Sequence, residues 1–332
     1  GKEINGAKSW YAIGSFTLQP SEFAKAATAL AVAKFVSQLD VSFKNFKDLL
    51  IVGAIIALPA IIIVPQPDPG SALVYGAFFF ALYREGLSLW YLSLVVISLA
   101  IFLAALLLPI YVVVILIIVV VIAMFPLSRK RRHKKRLPKP KPFQYAIIGA
   151  IALVFALLIN PIFNNVLEER HRNRINILLG TVEDDAGIGY NIIQSKIAIG
   201  NGGWLGKGLR NGTQTQGGFV PEQYTDFIFS AIGEEWGFLG TSIVVILFVA
   251  LIIRVLFMAE RQRNQFARVY GYSVAGIFFL HFFVNVGMVI GLLPTVGIPL
   301  PFMSYGGSGL LGFTILLFIF IKLDAHRLSY EH

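Results

Sequence analysis

In the stretch FVPEQYTDFIFSAIGEEWGFLGTSIVVILFVALIIR, residues 219–254, a polar segment gives way to a long apolar one at a single aspartate, Asp226. From Phe227 to Arg254 the apolar run is roughly 28 residues, or about 42 Å of helix, against a hydrocarbon thickness of roughly 30 Å. Such a helix crosses a membrane and leaves Asp226 at or just above one face. Glu234 and Glu235 follow two turns further on, among Phe, Ile, Ala and Trp. Charged groups at that depth cost roughly 2.5–3.5 kcal/mol on insertion scales, so they face a bundle interior, a wet cavity or a partner. On a 3.6-residue repeat Asp226, Ser230, Gly233 or Glu234, and Gly237 share one polar or small stripe. Two readings of the aspartate stand together. Thr225 or Asp226 caps the orphan amides of the helix, or Asp226 is a working carboxylate, and neither excludes the other.

Working outward, the whole chain has the same character. Hydrophobic residues make up 56% of the 332 and charged residues 14%, and the mean hydropathy is +0.73. No soluble core needs that composition, so the chain reads as an all-α polytopic membrane protein. Apolar segments near 21–38, 48–64, 70–83, 88–108, 109–127, 143–161, 226–254, 266–292 and 308–322 give about nine spans. The net charge of +10 is then mostly topology: with the C-terminus inside, 18 of the 28 lysines and arginines fall in inner segments. The positive-inside rule puts Asp226 outside. The run RKRRHKKRLPKPK, 129–141, lies between two apolar spans without aromatic interleaving. It reads as a cytoplasmic stop signal and anionic-lipid contact, not as a nucleic-acid site. There is no cysteine, hence no disulfide or thiolate metal site. The five histidines, at 133, 171, 281, 326 and 332, show no metal-ligand spacing. No secretory signal or internal repeat is visible. The chain opens on a polar, mildly amphipathic piece, GKEINGAKSWYAIGSFTLQPSEF.

One outer segment is large. Residues 163–223 mix cations, amides and glycines, with a short amphipathic stretch around 190–199. A loop of that length in a compact protein is functional or disordered, and this one is not low-complexity. Glycines at 200, 202, 203, 206, 208 and 212 let backbone amides approach an anion, or mark tight turns only. GGWLGKG fails as a P-loop, because Asn201 stands at the first required glycine and Gly208 follows Lys207. Glu22 and Lys25, at i and i+3, are placed to pair with each other or to touch substrate. Asp68 in QPDPGSA, and Gly306 with Ser308 in PFMSYGGSG, stand at the outer ends of spans, where prolines and glycines break helices beside a cavity. One outward carboxylate with a cationic, glycine-rich segment suits sugar transfer from a diphosphate. That leaving group departs as a stable anion and needs its charge neutralised, whereas glycoside hydrolysis needs two carboxylates.

Six blocks carry a resemblance: QPSEFAK (19–25), QPDPGSA (66–72), GYNIIQSKIAIGNGGWLGKG (189–208), GTQ (212–214), PEQYTDFIFSAIGEEWGFLG (221–240) and VNVGMVIGLLPTVGIPLPFMSYGGSGLL (284–311). In this order, over nearly the whole chain, they resemble the signature blocks of the SEDS family of peptidoglycan polymerases. NVGM followed by PTVGIPLPFMSYGGSG is more similar to the elongation branch than to the division branch.

The resemblance implies a SEDS-type helix bundle in the bacterial cytoplasmic membrane. It implies a glycosyltransferase that joins lipid II outside that membrane, growing the glycan on undecaprenyl pyrophosphate. A class B penicillin-binding protein and other membrane proteins of the elongation complex are the implied partners. A divalent cation, Mg or Mn, is the one cofactor left open. By motif, the essential aspartate falls on Asp226, which would act as general base. The substrate-binding candidates are Trp10 of the GAxxW block, Glu22, Lys25, Asp68, Arg172, Arg174, Gln194, Lys196, Lys207, Thr225 and Ser304. A lipid II flippase and a non-catalytic scaffold are the competing readings. The family has three helices before the GAxxW block, so the chain is expected to lack them. It also has one span where this chain shows three, so residues 88–142 are expected to be an inserted helical hairpin with a basic cytoplasmic loop. The whole chain, 1–332, is expected to form one membrane domain, with 163–223 as the extracytoplasmic catalytic and substrate loop.

Overall fold

The computed structural model describes residues 2–327 apart from 5–6, 14–15, 67, 135–141, 166, 168 and 182–187. Its chain divides into two compact units, Gly1–Leu87 with Glu183–His332, and Ser88–Val182. The first contains strands β1 (Lys2–Ile4), β2 (Ala7–Ile13) and β3 (Phe16–Leu18) and helices α1 (Pro20–Val36), α2 (Phe46–Ile63), α3 (Pro69–Val74) and α4 (Phe78–Arg84). The second contains α5 (Trp90–Leu107), α6 (Ile110–Lys134), α7 (Pro142–Asn165) and α8 (Glu169–Leu178). The first unit resumes with α9 (Ile188–Gly202), α10 (Thr213–Gln216), α11 (Ile228–Glu260), α12 (Gln265–Val289) and α13 (Gly307–Ala325).

Six of these helices, α2, α5, α7, α11, α12 and α13, are long and apolar enough to cross a membrane. The nine apolar stretches of the sequence all fall on helix, but three do not meet that standard. α1 has 17 residues and carries Glu22, Lys25 and Lys34. The 70–83 stretch is broken into α3, a 3-10 turn at Tyr75–Ala77 and α4. Ile110–Pro126 is a shorter apolar stretch within α6.

The opening piece adds a small sheet to an otherwise helical chain. It is a three-stranded antiparallel sheet in the order β1-β2-β3, with Lys2 opposite Trp10, Ile4 opposite Ala7, Tyr11 opposite Leu18 and Ile13 opposite Phe16. The signal was present in the sequence. Asn-Gly at 5–6 and Gly-Ser at 14–15 each separate paired positions by two residues, the spacing and chemistry of tight hairpins.

In the first unit α12 is the central post. Its apolar window is 67% buried, against 6–33% for the other spans, so neighbours surround it rather than lipid. Small residues allow this approach: a Cβ on Gly271 would meet the Phe320 ring at 2.4 Å, and one on Gly276 the Ala77 carbonyl at 2.8 Å. Around it Ala29, Val32, Phe78, Ile277, Phe278, Phe313 and Leu316 close one core. The end of α11 farthest from Asp226 is girded by ion pairs, Arg84 with Glu260, Arg268 with Glu85, and Arg261 with Asp324.

α11 is not one continuous helix. Gly237 has φ 65° and ψ −161°, a left-handed break that glycine takes without strain. The freed backbone groups are met by the 203–208 loop. Lys207 and Gly208 amides donate to the Glu234 and Glu235 carbonyls at 3.0 Å, and Phe238 and Leu239 amides donate to Gly203 and Trp204 carbonyls at 2.8 and 3.1 Å. Irregular backbone inside a helix bundle is tolerated when protein satisfies it in this way. From Phe238 to Glu260 there remain roughly 23 residues, about 34 Å of helix, enough to cross a bilayer alone.

α9 packs on the first part of α11 at its closest where Gly202 faces Gly233: a Cβ on Gly202 would lie 1.9 Å from the Gly233 carbonyl. Gly202→Ala is therefore expected to force the two helices apart at a cost of roughly 1–3 kcal/mol. A thermal unfolding midpoint equal to wild type would show that this crossing has room to spare.

Candidate functional site

The residues just before α11 are held by their main chain, one carbonyl after another. The Tyr305 amide donates to the Tyr224 carbonyl at 2.7 Å, the Ser304 hydroxyl to the Thr225 carbonyl at 2.6 Å, and the Asn285 amide to the Asp226 carbonyl at 2.8 Å. Three successive residues are thus fixed from the 290–306 connection and from α12. The Asp226 side chain is left half-buried at the junction of loop and helix. Beneath it lies Gly297, φ 70°, where a Cβ would stand 3.4 Å from Asp226 Oδ2. The capping position of α11 falls on Phe227, whose side chain makes no cap hydrogen bond. The aspartate therefore sits one residue too early to be the N-cap residue.

Thr225 and Ser304 join Asp226 directly. Ser304 accepts from the Leu300 amide at 2.7 Å while donating to Thr225, so its hydroxyl latches the 300–304 turn onto the residue beside the aspartate. Thr225 Oγ1 turns back onto Glu222 Oε2 at 2.9 Å.

Glu22 and Lys25 are paired inside the protein rather than exposed in a cleft. Lys25 is 0% and Glu22 2% exposed. Lys25 Nζ donates to both Glu22 oxygens at 2.7 Å and lies 2.9 Å from His281 Nε2, with its charge 5.0 Å from the centre of the Phe313 ring. His281 Nδ1 in turn lies 3.0 Å from the Pro299 carbonyl, in the connection that holds Asp226. The pair reaches the site through the protein interior.

Asp68 is the N-cap of α3. It accepts from the Ser71 amide at 3.0 Å, the Ser71 hydroxyl at 2.7 Å and the Gln19 side chain at 2.9 Å. α3 starts against the same connection, since a Cβ on Gly70 would lie 2.3 Å from the Val296 carbonyl. Trp10 lies in β2, half-buried.

The amphipathic stretch around 190–199 falls on α9, where Gln194 is half-buried and Lys196 exposed. α9 is docked on the end of α12 by Ser195, whose hydroxyl donates to the Val289 carbonyl at 2.9 Å. Lys196 runs along Gly291, where a Cβ would meet its Nζ at 2.5 Å. Lys207 is also exposed, with Nζ 2.9 Å from Thr213 Oγ1 and 3.6 Å from Glu234 Oε1.

Glu234 explains the carboxylate that the sequence left without a reason. Its side chain is wholly buried and accepts from the Gln214 and Thr215 amides, both at 2.9 Å, and from Thr213 Oγ1 at 3.2 Å. It staples the GTQ turn to α11. Arg172 and Arg174 lie on α8 of the second unit, where Arg172 Nη1 donates to the Asn164 carbonyl at 2.7 Å. Among the described residues no three His, Cys, Asp or Glu gather as a metal cage.

Sequence reasoning missed His281 and Asn285. Both are polar, one turn apart, inside the otherwise apolar run IFFLHFFVNVGMV. Polar residues in a membrane helix mark function or a specific partner, and that placement is the signal their sequence carries.

The family model of the FtsW/RodA/SpoVE cell cycle proteins matches residues 1–151 and 111–329. Peptidoglycan glycosyltransferase MrdB of Escherichia coli K12 is 36% identical over 323 residues, covering 97% of this chain and 72% of that protein. Peptidoglycan glycosyltransferase RodA of Treponema pallidum is 34% identical over 346 residues, covering 99% and 79%. A chain from a peptidoglycan synthase complex that coordinates polymerization and crosslinking has the same fold at TM-score 0.67, 24% identity, and 99% and 76% coverage. The rod shape determining protein RodA of Thermus thermophilus follows at TM-score 0.54 and 22% identity, covering 99% and 72%.

Proposed function

Because this chain belongs to the FtsW/RodA/SpoVE family, we propose that it is a peptidoglycan glycosyltransferase of cell elongation, polymerising lipid II with Asp226 as general base. The observation that carries the reading is a half-buried carboxylate whose main chain is fixed at three successive carbonyls, so that its aim does not depend on substrate. Asp226 takes the proton of the acceptor's 4-hydroxyl as that oxygen bonds to the anomeric carbon of the donor. The bond from that carbon to the diphosphate breaks on the opposite side, and undecaprenyl pyrophosphate leaves with the electron pair. A free aspartate, with pKa near 3.9, is a weak base for a hydroxyl, so its contribution depends on being held within reach of that proton. The departing diphosphate needs positive charge rather than an acid. Lys196 and Lys207, exposed beside α9 and α10, supply it, and Arg172 and Arg174 of α8 are further candidates. Trp10, Asp68, Gln194, Thr225 and Ser304 are proposed to border the bound sugars. Glu22 and Lys25 act from inside by holding the connection beneath Asp226.

A divalent cation would supply Lewis-acid neutralisation of the diphosphate. Among the described residues no three acids or histidines gather to hold such an ion, so it would be held chiefly by the diphosphate and water, as magnesium commonly is, leaving Asp226 free to act as base. On this reading chelation lowers the polymerisation rate by at least about tenfold, and Mg or Mn restores it. A rate untouched by chelator would remove the ion.

The chain is a multi-pass membrane protein. We place it in the bacterial cytoplasmic membrane with about nine spans, Asp226 and residues 163–223 on the extracytoplasmic side, and 88–142 as an inserted hairpin. Within the first unit Arg84, Arg261 and Arg268 stand at the end of α11 opposite Asp226, which supports that orientation. The fold shared with a chain of a synthase complex supports a class B penicillin-binding protein as partner, beside other elongation-complex membrane proteins. The test is polymerisation of purified lipid II by the full-length protein with that partner, its cross-linking activity blocked. Glycan ladders on a gel are expected, whereas lipid II crossing vesicles without forming polymer would overturn the reading.

A further inference from the structure

His281 and Asn285 stand one turn apart on α12, at 1% and 0% exposure. Some polar side chains in these helices are satisfied locally. Ser273 donates to the Val269 carbonyl and Thr28 to the Ala24 carbonyl, each four residues back. His281 and Asn285 instead reach out of their helix, and a polar group buried in an apolar helix is unfavourable unless bonded. What they hold is therefore informative.

Asn285 spends both protons of Nδ2, one on the Asp226 carbonyl at 2.8 Å and one on the Ile298 carbonyl at 2.7 Å. Its Oδ1 makes no hydrogen bond among the described residues, so the residue works as a double donor. For His281, the Pro299 carbonyl 3.0 Å from Nδ1 can only accept, so Nδ1 carries the proton. Nε2 is then the lone-pair nitrogen that receives the third proton of Lys25 at 2.9 Å, the other two being taken by Glu22. An imidazolium would have no lone pair for that ammonium, so the ring is neutral. It stands edge-on to Phe313, with ring centres 4.7 Å apart.

We propose that His281 and Asn285 are positioning residues for Asp226: they bolt the successive carbonyls of Ile298 and Pro299 to α12, and Asn285 ties the Asp226 carbonyl to the same point. The same connection then holds Thr225 through Ser304 and Tyr224 through Tyr305. The aim of the carboxylate is set by α12, and the buried Glu22 and Lys25 fix the ring that sets it. The catalytic part of this inference rests on the polymerase reading, while the mechanical part stands on the hydrogen bonds alone.

The test uses the full-length protein with its cross-linking partner in nanodiscs, assayed with lipid II. Asn285→Ala and the isosteric Asn285→Asp are expected to lower kcat about 100-fold with KM within about threefold, because misplacing a catalytic group costs rate rather than binding. His281→Asn, whose Nδ2 stands where Nδ1 stood, should keep most of the rate. His281→Gln, which reaches toward Lys25 but not toward Pro299, should lose it. Simple space-filling predicts the opposite order, since Gln replaces more of the ring. Wild-type kcat in Asn285→Ala, or His281→Asn as impaired as His281→Gln, would overturn the proposal.

Amide hydrogen exchange on the same samples reads the clamp without catalysis. Segments 222–230 and 296–305 should exchange faster in Asn285→Ala and His281→Gln, with α5–α7 unchanged. Unaltered exchange in those segments also overturns it. Should the wild type form no polymer, the polymerase reading falls and exchange alone decides the clamp.

Discussion

Asp226→Asn is expected to abolish glycan polymerisation while the protein still inserts, folds and binds its partner. The change keeps shape and removes the base, and a positioned general base contributes typically about 10²–10⁴-fold. Folding should survive because Tyr305, Ser304 and Asn285 grip the main-chain carbonyls of 224–226, which the substitution leaves in place. The measurement is initial rate of polymer formation from lipid II at matched protein levels, with partner binding checked on the same preparation. Normal product from this variant would remove Asp226 from the reaction. A variant that failed to insert would instead mean the carboxylate is part of the scaffold.

Lys25→Met is expected to have the largest effect on stability. The ammonium is 0% exposed and supplies two 2.7 Å bonds to Glu22, itself 2% exposed. Removing it leaves a buried carboxylate without its counter-charge, which costs about 3–5 kcal/mol. It also removes the donor to His281 Nε2. The double change Glu22→Gln with Lys25→Met should recover much of that loss, because the uncompensated charge goes with it. Thermal unfolding of the three proteins in nanodiscs decides the matter. A Lys25→Met midpoint equal to wild type would show that Glu22 finds other compensation.

The six helices long and apolar enough to cross a membrane were legible because a span is written in composition: roughly twenty apolar residues suffice, whatever packs around them. The strands within 2–18 carry Asn-Gly and Gly-Ser signals, yet in sequence they look like amphipathic chain, since strands of three and seven residues are outweighed by the helices that follow. The break at Gly237 was not legible. Its reason is the 203–208 loop, some thirty residues away, whose amides and carbonyls replace those the helix gives up.

The candidate site divides the same way. Asp226, Thr225, Ser304 and the pairing of Glu22 with Lys25 could be singled out from spacing and block resemblance, because i, i+3 neighbours on a helix meet whatever the fold. Glu234 could be seen as a carboxylate in need of a reason, and the GTQ turn is that reason. His281 and Asn285 stand out in the sequence only as polar residues in an apolar run; what they hold was not legible, because the carbonyls they bond carry no sequence signal.

The sequence by itself determined that this is a membrane helix bundle with one acid at the start of its longest span, since hydropathy and charge are properties of residues in order. Only the tertiary structure decided which groups aim that acid: Asn285 on its carbonyl, Ser304 and Tyr305 on the two before it, and His281 behind them. The physical reason is that hydrogen bonds between side chains and distant main chain depend on where helices cross, and that is settled by packing around α12, where Gly271 and Gly276 admit their neighbours.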